Sequence, residues 1–144
     1  MIVTLDTNIL FQALNSQSGA SFYIFQLLRA GHIRLALSNS TFCEYEDVLT
    51  RSTSLKAFEL SKEDVTKFLR YIAFVGEKFE PHFLFRPNLK DEADNMFVEL
   101  AIVSHSQYLI TSNIKDYQNS NLILDNFQLI TPANFVKQWR NKNG

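Results

Sequence analysis

Ile2-Val3-Thr4-Leu5-Asp6-Thr7-Asn8 is the stretch whose reading decides the fold. Ile2 to Leu5 is a short apolar run rich in β-branched residues, and Asp6-Thr7-Asn8 bounds it with turn-forming side chains. Together they predict a buried strand that ends at Asp6 and runs into a turn or a helix cap. Moving outward, Ser21 to Arg29 is mostly apolar up to Gly31, and Ile33 to Leu37 reads as a second strand ending in Ser38-Asn39-Ser40. Ser40 or Thr41 would cap a helix through Leu49, with Glu44 in its second turn, and the Ser/Thr-rich Arg51 to Ser54 would end it.

Later segments repeat the alternation. Ser61 with Asp64 three residues on resembles a capping box, and Val65, Phe68, Leu69 and Ile72 fall at i, i+3, i+4 and i+7, one face of a helix. Gly76 to Asn88, with Pro81 and Pro87, predicts extended chain or loop. Met96, Phe97, Leu100 and Ala101 mark a helix from about Ala93 to Ser104. Asp91, Glu92 and Asp94 lie around its start, where acids favour the positive end of the helix dipole. Tyr108 to Thr111 and Phe127 to Ile130 read as further strands, and Thr131-Pro132 opens a helix to Trp139. Strands alternating with helices predict an α/β domain with a mainly parallel sheet.

Composition narrows the function. A chain of 144 residues is expected to form a single domain over residues 1–144, and 46% hydrophobic with 20% charged residues suits a globular chain. A formal charge of −1 excludes a broad basic field, so any nucleic-acid contact must be local. One cysteine, Cys43, rules out an internal disulfide or a cysteine zinc cluster and is expected to be a small buried side chain. With no signal-type start and no run of 18 apolar residues, the chain is expected to be cytoplasmic and without a membrane segment.

In an open parallel sheet, ligands bind beyond the carboxyl ends of the strands. The acids collect there: Asp6 after the first strand, Glu44 early in the helix after the second, Asp91 and Asp94 around the start of a later helix, and Asp116 beyond the strand that follows it. Brought into one pocket, such carboxylates would repel and raise one another's pKa, and a cation would relieve the strain. Oxygen ligands without paired His or Cys suit Mg²⁺ or Mn²⁺ rather than Zn²⁺. Hard ions held by carboxylates commonly work on phosphates, which points to phosphodiester hydrolysis. Taken singly, each acid has a plainer role: Asp6 as a helix cap, Asp91 and Asp94 as dipole partners, Asp116 as a turn residue. Glu44 has Glu46 and Asp47 as neighbours, and at least two of these three belong on a solvated face. The convergence carries the reading. Ser112, His105 and Asp116 make a weak hydrolase triad, since no Gly-x-Ser-x-Gly elbow exists.

These residues resemble those of a known family. IVTLDTNILFQAL is similar to the first motif of PIN-domain proteins, and STFCEYEDVLTR, KDEADNMFVELAIVSHSQYLIT and SNIKDY resemble the second, third and fourth in order. The resemblance implies a PIN-like three-layer α/β/α fold and a Mg²⁺- or Mn²⁺-dependent endoribonuclease, most often the toxin of a toxin–antitoxin pair. Implied partners are an RNA substrate and a cognate antitoxin protein, with homodimerisation a family expectation. Asp6, Glu44 and Asp94 carry over as catalytic metal ligands, with Thr7, Asn8 and Ser112 in support. Many relatives have Thr-x-Asp in the fourth motif where this chain has Thr111-Ser112-Asn113. Asn113 offers an amide oxygen but no charge, which leaves Asp116 to take the acidic role, with Asp91 as another source. The alternative is a PIN-like module that binds RNA or protein and has lost catalysis, Asn113 being its sign. A phosphatase of the haloacid-dehalogenase type would want Asp where this chain has Asn8.

Overall fold

The computed structural model describes residues 1–81, 92–117 and 127–143. Asp91, His82, Arg86 and Lys90 fall outside the described residues. The first strand, β1 (Ile2–Leu5), leads into α1 (Thr7–Asn15) and α2 (Ala20–Arg29). After β2 (Arg34–Leu37) come three helices, α3 (Asn39–Leu49), α4 (Ser52–Phe58) and α5 (Lys62–Val75), and the two-residue β3 (Glu77–Lys78). The remainder is α6 (Glu92–Val103), β4 (Tyr108–Ile110), a 3₁₀ turn (Ile114–Asp116), β5 (Gln128–Ile130) and α7 (Pro132–Asn143).

All five strands run parallel in the order β3-β2-β1-β4-β5, which places β1 at the centre. Strands covered on both faces are mostly apolar, and Val3, Leu5, Leu35, Leu37, Leu109 and Ile110 are all buried, while the buried Thr4 hydroxyl of β1 is paired with that of Ser106 at 2.9 Å. Helices flank the sheet in a three-layer arrangement: α1 packs on α2 and α2 on α7, while α3 packs on α5 and α6. Leu5 pairs with Ile110, and Ile110 with Ile130, so the carboxyl ends of three strands stand level. Asp6, Thr111 and Thr131 are the next residues on each. At the other side of β2, Gly76 ends α5 so close to the strand that a Cβ there would lie 2.8 Å from the Leu37 side chain and 2.9 Å from the Ile72 carbonyl oxygen.

Three expectations change in detail. The cap of α3 is Ser38, not Ser40 or Thr41: its hydroxyl accepts from the Thr41 amide and the Thr41 hydroxyl accepts from the Ser38 amide, both at 3.1 Å. A Thr rather than a Glu closes this capping box, which hides it from the usual pattern. The segment Arg51 to Ser54 does end α3 but also starts α4, an unforeseen helix. Ser54 donates to the Val48 carbonyl at 2.7 Å and Phe58 packs on Phe11 at 4.8 Å between ring centroids. Tertiary packing makes that helix, and the left-handed Glu59, φ 56°, stops it. Cys43 is exposed rather than buried, because Thr41, Tyr45 and Leu49 supply the inward face of α3. Among the described residues, no helix is long and apolar enough to cross a membrane.

Candidate active site

The parallel ladder positions the site. Extending it by one residue, the Asp6 amide donates to the Ile110 carbonyl at 3.0 Å, so Asp6 leaves β1 directly beside Thr111. Its side chain then does two things at once. One oxygen, Oδ1, accepts the Thr7 amide at 2.7 Å as the N-cap of α1; the other, Oδ2, accepts from the Thr111 hydroxyl at 2.7 Å, the Tyr117 hydroxyl at 3.0 Å and the Asn8 amide at 3.2 Å. Capping and site-building are the same geometry here. Tyr117 also reaches Asp94 Oδ1 at 3.1 Å, which ties the end of β1 to the start of α6.

Asp6, Glu44, Asp94 and Asp116 line one cavity of about 250 Å³, together with Thr7, Asn8 and Asn113. Four of the five acids read from the sequence, at the end of β1 and on α3, α6 and the 3₁₀ turn, thus line one cavity at the carboxyl end of the sheet, the fifth, Asp91, lying outside the described residues. Asp6 and Asp94 are buried, 6% and 8% exposed; Glu44 is half-buried, and Asn113 and Asp116 are exposed at the rim. Glu46 and Asp47 point to solvent, and Asp47 pairs with Arg51 at 2.7 Å. The structure therefore selects Glu44 from its acidic neighbours. Burial pushes the Asp6 carboxyl above its ordinary pKa, hydrogen bonds from Thr111, Tyr117 and Thr7 oppose the shift, and the charge of Asp116 adds to it.

Such a site suits a hard cation. Every acidic donor is an oxygen, and burial that disfavours the charged form of Asp6 is the electrostatic condition a divalent ion relieves. Among the described residues, no three His, Cys, Asp or Glu side chains already converge at metal-binding spacing. Asp6 and Asp94 both contact the Tyr117 hydroxyl, and Glu44 and Asp116 line the same cavity.

Around the acids lies a polar frame. Asn8 Oδ1 accepts the Ser112 amide at 3.2 Å, Gln12 donates to the Ser112 hydroxyl at 2.8 Å, and Ser21 donates to Gln12 at 2.7 Å. Thr7 is buried, and its hydroxyl has no hydrogen-bond partner among the described residues. Thr111 and Tyr117 were not among the residues singled out from sequence. Register could have found Thr111, since a strand paired with β1 must end beside Asp6. Nothing in the pattern distinguishes the Tyr117 hydroxyl from an ordinary core aromatic. The Ser112, His105 and Asp116 triad does not form: His105 precedes β4 and Ser112 follows it, at opposite ends of the strand.

Among solved structures, VapBC2 from Rickettsia felis bound to a promoter DNA fragment is similar at a TM-score of 0.64 and 21% identity, over 91% of this chain and 98% of that one. VapBC-1 from nontypeable Haemophilus influenzae is similar at a TM-score of 0.60 and 16% identity, over 92% and 99%. At these identities the likeness is one of fold. No curated protein matches the sequence. The family profile described as PIN domain matches residues 2–115, which include Asp6, Glu44 and Asp94, and the chain belongs to the PIN-domain family.

Proposed function

We propose that the chain is a metal-dependent endoribonuclease and the toxin of a toxin–antitoxin pair. The observation that carries the reading is the meeting of Asp6, Glu44, Asp94 and Asp116, from four separate elements, in one cavity. The toxin assignment is supported by the shared fold of two toxin–antitoxin complexes. Its partners would be an RNA substrate and an antitoxin that covers the acidic pocket, with a second copy of the chain as a further partner.

Asp6 and Asp94 would be the main ligands of Mg²⁺ or Mn²⁺, with Glu44 and Asp116 completing the set. When bound, the ion supplies polarisation of the phosphodiester and activation of water for in-line attack. Thr111 and Tyr117 hold the Asp6 carboxylate in place through its Oδ2. Asn8 and Ser112 fix the backbone at the carboxyl end of β4, and through it the approach to Asn113 and Asp116. Outer partners of this kind set ligand orientation and with it affinity. Asn113 contributes an amide oxygen at the rim without adding a fifth negative charge.

The test is incubation of a mixed RNA pool with the purified chain in Mg²⁺, in Mn²⁺ and in EDTA. Cleavage with either ion and none in EDTA is expected. RNA bound without cleavage, and no Mn²⁺ taken up in calorimetry, would instead make the chain a binding module.

A further inference from the structure

Tyr117 is wholly buried, and the only polar atom on its ring faces two carboxylates, Asp6 Oδ2 at 3.0 Å and Asp94 Oδ1 at 3.1 Å. A phenylalanine would fill the same core space without the cost of desolvating a hydroxyl. The hydroxyl is therefore accounted for by the carboxylates it touches. A phenol carries one proton, so the hydroxyl can serve either carboxylate as a donor, one at a time. Both oxygens lie within hydrogen-bond distance of one atom, so in this structure Asp6 Oδ2 and Asp94 Oδ1 stand no farther apart than the two contacts laid end to end. The backbone of the same residue closes the 3₁₀ turn, its amide donating to the Ile114 carbonyl at 3.1 Å, immediately after Asp116. One anchored side chain thus sets the positions of three acids that arrive on β1, α6 and the turn.

We propose that Tyr117 is a positioning residue that spaces Asp6 and Asp94 and anchors Asp116, preparing the acidic cavity for a divalent ion. The inference rests on the metal-dependent reading above. Two oxygens on one Mg²⁺ ion stand no more than about 4 Å apart. Without the hydroxyl, the two buried carboxylates would repel to a wider spacing, and the ion itself would have to draw them together.

The experiment is Mn²⁺ titration by calorimetry into metal-free wild type and Tyr117→Phe, below the melting point of both, beside the Mn²⁺ dependence of RNA cleavage. The expected result is a Mn²⁺ affinity about tenfold weaker in the variant, with cleavage returning toward the wild-type rate once Mn²⁺ saturates. Tyr117→Leu, which also lacks the hydroxyl, repeats the comparison should the Phe variant fold poorly. Equal affinity in wild type and variants would overturn the proposal, as would a rate that stays low at saturating Mn²⁺ with affinity unchanged. Wild type that binds no Mn²⁺ would overturn the metal-dependent reading and the proposal with it.

Discussion

The Thr111 hydroxyl donates to Asp6 Oδ2 across 2.7 Å, joining the carboxyl ends of the two central strands. The Thr111 hydroxyl oxygen itself accepts from the Asn8 side-chain amide and from the Asn113 backbone amide, so one small side chain fixes the carboxylate, the first turn of α1 and the loop beyond β4. Thr111→Val keeps the shape and loses the hydroxyl, leaving a buried charge short of a donor at a cost of about 1–3 kcal/mol. A thermal midpoint lower by several degrees is expected, with Thr111→Ser restoring most of it. Melting curves of the three proteins would check this, and a Val variant as stable as wild type would contradict it.

Asp6 gives a pH signature with a definite sign. Its folded pKa lies above the ordinary carboxylate value, chiefly through burial. Between the ordinary and the raised value, the folded chain binds more protons than the unfolded one, so stability falls as pH rises through that window. Asp6→Asn removes this penalty. Relative to that variant, metal-free wild type should lose stability as pH goes from about 4 to neutrality, followed by denaturant unfolding at each pH. A constant difference between the two would count against the buried, strained carboxylate. Added Mn²⁺ should restore wild type and leave Asp6→Asn unmoved.

The second motif presents three acids within four residues, and the fold turns one of them inward. Glu44→Gln should slow cleavage by at least about tenfold, the scale of losing one charged group at a metal site. Glu46→Gln and Asp47→Asn, both on the solvated face of α3, should leave the rate nearly unchanged. Comparable losses from all three would mean that the helix does not present Glu44 alone.

At the rim of the cavity stand Asn113 and Asp116, of which Asp116 is the proposed ligand. Asp116→Asn should weaken Mn²⁺ binding, and Asn113→Asp in that background should recover it, since both side chains line the same wall. Calorimetry on the single and double variants decides the matter. No loss in Asp116→Asn would remove this residue from the site.

Much of the fold was legible because its signals are local. Ile2 to Leu5 and Tyr108 to Ile110 announce buried strands by composition, and Ser61 with Asp64 closes a capping box that the structure keeps, each bond 3.1 Å long. Helix α4 was hidden because its support is distant: Phe58 against Phe11, and Ser54 against the end of α3. Helix α7 runs past Trp139 to Asn143 through exposed polar residues that carry no periodic pattern. The site divides the same way. Asp6, Glu44, Asp94 and Asp116 were readable as acids placed at strand ends and helix starts, and they do share a cavity. Thr111 could be reached only by pairing the strands in register, and Tyr117 depends on where a single hydroxyl points, which emerges only when the chain is folded.

Asp94 is the most direct probe of the central claim. It lies in the first turn of α6, is 8% exposed, lines the cavity and is linked to Asp6 through the Tyr117 hydroxyl. The decisive measurement compares cleavage of a mixed RNA pool by wild type and Asp94→Asn, in Mn²⁺ and in EDTA, with both proteins shown to be folded. The account predicts Mn²⁺-dependent cleavage by wild type and its loss, by about a hundredfold or more, in the variant. Full metal-dependent cleavage by folded Asp94→Asn would contradict it.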